Sequence, residues 1–343
     1  LKNGLAIPGA TDANLTIPST NFGDAGKYRV TITTSSGTAD SVEVGLGVVA
    51  QPAGVPVTYS NSGGGTDTLY AYEGEKTAIL LPDTGYNYAT VQRLLRIMDY
   101  MWTRYQEATG RSPSLYKHFN GKPTLAVCKT GNIGGAAVGY LGATGIETGS
   151  AHFDLMIKSY QSVAWDNDFL VGYEFGRNFS TDKYLGKIDF TGLDFDTRNL
   201  FGASVYKPAI LDWWKTQAVP ESIWRWSESY VDINESIQHA SDYILDASAT
   251  FHSAFISNTF KAMSRGRQRP QNILDGLIGI LYEEYGIGFT NRLWREIETL
   301  DSAVSIQHAM DNLALACSRA ARQNLVRIFE GQFKIPLSSE VKS

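Results

Sequence analysis

Tyr173-Glu174-Phe175-Gly176-Arg177-Asn178-Phe179 is the stretch on which the fold turns. Read as a helix, it puts Tyr173 and Arg177 at i and i+4 on one face, with Glu174 and Arg177 adjacent at i, i+3. A carboxylate between a phenol and a guanidinium can be an acid–base centre or a buried ion pair. Arg177 offers five donors and no lone pair, so it cannot ligate a metal and would repel one. A carboxylic acid that works as a general acid needs a raised pKa, and an adjacent arginine pushes the other way. The expectation is therefore that Arg177 pairs with Glu174 or another carboxylate and stacks on Tyr173, with Glu174 the one catalytic candidate.

The chain has 343 residues, 30 basic and 35 acidic. That length suffices for two domains, one with a substantial core. The densest basic run, Arg265-Gly266-Arg267-Gln268-Arg269, is short, and nucleic acid is excluded as a partner for want of a concentrated basic footprint. Cys128 and Cys317 sit far apart in apolar contexts and read as buried thiols. No run of 18 apolar residues is present to span a membrane. The chain opens without an initiator Met and in mid-domain, so further sequence is expected before Leu1, along with any targeting segment. Abundant Thr, Ser, Gly and Asn in the first 70 residues suggests a secreted or cell-surface protein.

Residues 1–49 alternate apolar and polar side chains between turn signals, predicting strands at 14–17, 27–32 and 41–46. Residues 50–65 are rich in Pro, Ser and Gly and read as a flexible linker. Beyond it, strands are expected at 76–81, 122–128 and 153–157, and a long amphipathic helix at 88–108 that Gly110 ends. Asp166 or Asn167 can cap a helix running to Phe179. Later helices are expected at 212–216, 233–263, 273–285, 288–299, 304–319 and 324–329. Strands first and helices afterwards make an α+β arrangement.

Two resemblances follow. Asp24-Ala25-Gly26-Lys27-Tyr28 resembles the tyrosine corner of immunoglobulin-like domains, in which the Tyr hydroxyl returns to upstream backbone. Residues 1–49 look like the C-terminal half of an Ig-like domain of the bacterial tandem type, with Val30 where the second Cys would stand. Half a sandwich exposes an edge and a face, which a partner strand, a neighbouring domain or a second copy could cover. Residues 66–343, in turn, are similar to thermolysin-like metallopeptidases (gluzincins). In their H-E-x-x-H helix two histidines hold Zn²⁺ and the Glu is general base. Tyr173–Phe179 matches the H-E-[FL]-G-H-N-F form of that motif at Glu174, Phe175, Gly176, Asn178 and Phe179, while Tyr173 and Arg177 replace both ligands. The resemblance implies a third ligand, a Glu on a following helix, yet no Glu or His lies between Phe175 and Pro220 and the first is Glu221. Asp182, Asp189, Asp194, Asp196 and Asp212 remain, and His118, His152, His239, His252 and His308 are scattered. No metal and no other cofactor is expected.

The glycine-rich stretch 131–149 lacks the G-K-[ST] of a phosphate loop and reads as a tight turn, with Tyr140 and Glu147 as candidate cleft residues. No G-x-S-x-G elbow occurs. Trp213, Trp214, Trp224, Trp226 and Tyr230 read as core or interface before sugar-stacking surface. The expected function is that of a non-catalytic, zincin-like protein binding a protein or glycan, or assembling. The alternatives are a peptidase or glycan hydrolase using Glu174, and a subunit that forms homo-oligomers by strand complementation of the incomplete Ig-like sheet.

Overall fold

The computed structural model describes residues 1–17, 22–48, 53–134, 136–159, 169–181, 184–193, 195–216, 228–262, 266–267 and 270–342, with side chains undescribed at 22, 158, 159, 169, 228–232, 262, 266 and 267. The chain forms two compact units, Leu1–Ala53 and Gly54–Ser343.

In the first unit, β1 (Gly26–Tyr28) pairs antiparallel with β4 (Val44–Leu46), and β2 (Thr31–Thr34) forms a hairpin with β3 (Gly37–Asp40). The expected strand at 14–17 is not formed, and 27–32 is divided between β1 and β2. The Tyr28 hydroxyl donates to the Asp24 carbonyl at 2.7 Å. Of the described residues here, none is buried; Val30, Ile32, Val42 and Val44 are all more than half exposed. Alternation had implied half-buried strands, but two separate strand pairs leave no second layer to bury them.

The second unit is built on a mixed sheet. Its path runs β10 (Ala137–Gly139), β11 (Ile146–Gly149), β9 (Lys122–Cys128), β7 (Ala78–Leu81), β6 (Thr66–Glu73), β5 (Val55–Ser60), and β8 (His118–Phe119) also pairs with β9. The contacts of β9 with β7 and β11 are parallel and the others antiparallel. Central β7 and β9 are buried almost throughout, as strands covered on both faces must be. The linker expected at 50–65 is corrected: from Val55 it is edge strand, and Asn61–Gly65 is the β5–β6 turn. Pro56, which donates no hydrogen bond, is tolerated because among the described residues β5 has no strand on its outer side.

Helix α1 (Tyr88–Thr109) starts at Asn87, whose side chain accepts from Thr90 N, and ends at Gly110 in the left-handed conformation (φ 69°). Its buried stripe, Val91, Leu94, Leu95, Met98, Met101, Trp102 and Tyr105, packs into the main core with Ile79, Leu81, Leu125, Val127 and Ile146 of the sheet. Residues 153–157 belong to helix α2 (Ser150–Ser159), not to a strand. Phe153, Met156 and Ile157 are buried at i, i+3 and i+4 while Leu155 is 68% exposed, a pattern that only a helix produces.

The rest is mainly helical: α3 (Phe169–Phe179), α4 (Thr197–Thr216), α5 (Glu228–Leu245), α6 (Pro270–Tyr285), α7 (Ile287–Glu298) and α8 (Ile306–Ala321). Lys261–Ala262 and Gly266–Arg267 form a short antiparallel strand pair. The helix expected at 212–216 is the end of the longer α4. The one expected at 233–263 stops at Leu245, where Asp246 turns the chain by accepting from Ser248 N and Oγ. A π-helical turn, His252–Ile256, follows, and the helix expected at 324–329 is likewise a π-turn, Arg327–Gln332. The cap expected at Asp166 or Asn167 lies outside the described residues. The architecture is α+β: a mixed sheet, then a helical C-terminal half. Cys128 and Cys317 are buried free thiols.

Helices α5 and α6 pack at Gly276, where an added methyl would fall onto the Ser236 carbonyl and within 2.6 Å of Ala240 Cβ. Gly276→Ala is therefore expected to destabilise by about 1–3 kcal/mol net of the helix-propensity gain. The measurement is a urea titration, in which the midpoint falls while the slope is kept.

Candidate functional site

Helix α3 is held on every side but one. Phe175 and Phe179 meet Trp102 edge-on, with ring centroids 5.2 and 4.7 Å apart, and Phe179 stacks on Tyr105 at 5.3 Å. Gly176 faces α4, where a Cβ would lie 2.9 Å from Gly202 Cα and 3.0 Å from the Tyr105 hydroxyl. That hydroxyl donates to the Gly172 carbonyl at 2.7 Å. Two faces of the helix are thus devoted to packing, which accounts for the Phe-Gly and Phe of the heptapeptide.

The third face meets the β10–β11 hairpin. Asn178, fully buried, donates to the carbonyls of Tyr140 (3.1 Å) and Gly145 (3.0 Å) and accepts from Gly145 N (3.2 Å). One turn earlier, Glu174 Oε2 accepts from Gly139 N at 2.7 Å. Any side chain at 139 would stand 2.6 Å from that oxygen. Arg177 Nε lies 3.5 Å from the same Oε2. Glu174 is 7% exposed, whereas the Arg177 side chain retains 35%. Burial pushes the Glu174 carboxyl up to about 7, against the opposing pull of Arg177 and the Gly139 N–H. The expectation that arginine would hold it down is thereby reversed: desolvation outweighs a loose ion pair.

Tyr173 turns to α4, its hydroxyl donating to Asn199 Oδ1 at 2.7 Å. Tyr173, Glu174 and Arg177 thus occupy neighbouring positions, but the phenol is engaged elsewhere. Zinc, which the family resemblance implies, does not fit here. The guanidinium stands beside the carboxylate, and Glu174 already serves Gly139. Among the described residues no three of His, Cys, Asp or Glu gather to hold a metal, and a zinc site needs three or four ligands. Asp189 accepts from Gly186 N and Thr197, Asp196 pairs with Arg198, and Asp212 with Arg104 and Tyr100; Asp182 and Asp194 lie outside the described residues.

Tyr140 and Glu147 are brought together, though not into a cleft with Glu174. Ile146 points into the main core, so its neighbour Glu147 projects from the other face of the sheet, fully buried. It accepts from Tyr59 Oη (2.8 Å), from Ser62 N (2.8 Å) and from Ser62 Oγ, with Lys117 Nζ at 3.7 Å. Burial raises this carboxyl, but the Ser62 and Tyr59 bonds outweigh it and hold it below its ordinary value. Burial and the Glu147 charge push the Tyr140 phenol up. Glu147 secures the β5–β6 turn on the sheet. Trp213 and Trp214 are buried edge to face at 4.9 Å; Trp224, Trp226 and the Tyr230 side chain lie outside the described residues.

Sequence reasoning missed Gly139, Asn178, Tyr59 and Ser62. Asn178 alone carried a signal, being the polar residue of the heptapeptide with both donor and acceptor to offer.

No family model matches the chain, and no curated protein does. Among solved structures, a functionally unknown conserved protein from Bacillus anthracis str. Ames aligns at TM-score 0.50 and 12% identity over 80% of this chain and 50% of its own. A mutant described in the same words aligns at 0.49 with the same identity and coverage. The M60 catalytic domain of Clostridium perfringens ZmpC, solved with the sialyl T antigen, aligns at 0.45 and 13% identity over 80% and 48%. The chain spans about half the length of these solved chains, and at such identities the likeness concerns the fold alone.

Asn178→Ala removes three buried hydrogen bonds and is expected to cost about 3 kcal/mol in chemical denaturation, since the Gly145 N–H loses its acceptor and the Tyr140 and Gly145 carbonyls each lose a donor. For Glu174, the folded pKa lies above the unfolded value, so the folded state binds its proton more tightly. Its contribution is full below the unfolded pKa of 4.5 and is lost as pH rises through about 7. Native protein should lose stability relative to Glu174→Gln over that window, in urea midpoints measured pH by pH; parallel curves would contradict the assignment.

Proposed function

We propose that residues 54–343 form a zincin-like domain in which a carboxylate, hydrogen-bonded to backbone and loosely paired with an arginine, stands where a metal centre would be, and that it binds a ligand without hydrolysing it. The observation that carries this reading is the Glu174 carboxylate, 2.7 Å from Gly139 N and 3.5 Å from Arg177 Nε. The carboxylate that would activate a metal-bound water is enclosed by backbone and by a cation. The mixed sheet with a short edge strand beside the Glu174 helix, and the helices that follow, support the same architecture. A secreted or cell-surface setting fits the composition of the first 70 residues.

The bond from Tyr28 to the Asp24 carbonyl supports an Ig-like origin for the first unit. Its open apolar hollow of about 880 Å³, edged by Val30, Ile32, Val42 and Val44, supports assembly by strand complementation. One observation favours a hydrolase instead: a buried carboxyl titrating near 7 is suited to general acid–base work at neutral pH.

Metal analysis of protein purified from zinc-supplemented culture tests the main reading. Substoichiometric zinc is expected, and the double variant Tyr173→His, Arg177→His is expected to gain none. One zinc per native chain, removable by chelator with loss of stability, would refute it.

A further inference from the structure

Arginine at an ion pair ordinarily uses its fork: two parallel N–H···O bonds to one carboxylate. Arg177 does not. Among the described residues its one ionic contact is through Nε, 3.5 Å from Glu174 Oε2 and not a hydrogen bond, and Nε is buried with no other acceptor. The terminal nitrogens make no hydrogen bond among the described residues, and a third of the side chain stays open to solvent. By contrast Arg198 satisfies Asp196 through Nε and Nη2, and Arg104 engages Glu107, Asp212 and Tyr100. Arg177 is an arginine with its planar donor edge unspent, placed beside an enclosed acid.

We propose that Arg177 anchors a carboxylate-binding site, taking the carboxylate of a small ligand on its guanidinium edge while Glu174 becomes the neutral acid. A ligand carboxylate on this guanidinium sets a like charge beside the buried Glu174 carboxyl and favours its neutral form, so ligand binding and protonation of Glu174 are linked. Oε2 keeps its bond from Gly139 N, and the proton, taken from solvent, goes to Oε1, which accepts from no described residue. The groups packed around Glu174 leave this coupling to Arg177. Strand β10 presents Ala137, Val138 and the Gly139 N–H, none of them titratable. From α1 the Tyr105 hydroxyl is bound to the Gly172 carbonyl, and from α4 Arg198 is paired with Asp196. Glu147 of β11 lies on the other face of the sheet with Tyr59 and Ser62. A Glu174 carboxyl raised to about 7 makes the protonated form accessible near neutrality.

The inference rests on the binding reading above, and its test is separate from zinc analysis. Acetate and N-acetylglycine, with the uncharged N-acetylglycinamide as control, are titrated into the full chain by NMR, following the Arg177 Nε–H resonance. Both acids should bind about tenfold more weakly at about pH 8 than at about pH 5.5, as one linked proton requires. Arg177→Gln should abolish binding, Arg177→Lys should weaken it by losing the fork, and Glu174→Gln should bind with no pH dependence. Circular dichroism of each variant checks that it is folded. Absence of acid binding to native protein at the lower pH, equal binding of the amide, or binding unchanged in Arg177→Gln would each overturn the proposal. Stoichiometric zinc would instead overturn the reading beneath it.

Discussion

The arrangement depends on the hydrogen bond from Gly139 N to Glu174 Oε2. It joins the edge of the sheet to the first buried polar group of α3, and it demands a residue without a side chain at 139. A carboxylate buried this far would ordinarily be expelled or neutralised. It is retained because a backbone donor and a nearby cation share its charge, incompletely, and the shortfall appears as a carboxyl that holds its proton to neutral pH. Asn178, one turn on, repeats the contact with a neutral group that satisfies both of its functions. The pair fixes helix and hairpin; only the acid leaves something unsettled.

Two buried glutamates illustrate how environment sets role. Glu147 lies fully buried beneath the β5–β6 turn yet stays readily ionised, because Ser62 and Tyr59 donate three bonds to it. Glu174 receives one such bond and a distant arginine. The donor count separates a structural fastener from a group whose charge can change. Nothing in the spacing of either residue along the chain reveals that count, and so Glu147 reads from sequence as a cleft residue.

Much of the second unit is legible in the sequence where one face of an element is buried and the other is wet. The stripe from Val91 to Tyr105 in α1 and the run 122–128 in β9 carry their own periodicity. Legibility fails where burial surrounds an element. Helix α4 buries residues on nearly every side, including Pro208, so no polar face marks its turns before Asp212. It fails again at 153–157, where five residues are too few to separate a period of two from one of 3.6. The Val55–Ser60 strand was hidden by composition, since an edge strand with Pro and Ser differs little from a linker. At the site, the heptapeptide announces its helix. The partners that give Glu174 its character are a backbone amide 35 residues away in sequence and the burial around it, neither of which a pattern can encode.

The first unit carries a different consequence. The heat-capacity increase on unfolding comes from apolar surface that the folded state hides from water. A unit of strand pairs with no buried residue among those described hides almost none. Its melting by itself would be broad and nearly athermal, a gradual loss of hydrogen bonds without a calorimetric peak. A sharp transition would come to it only if exposed side chains such as Val30, Ile32, Val42 and Val44 were covered. In this unit, hydrogen bonding between strands is not matched by the apolar burial that makes unfolding cooperative.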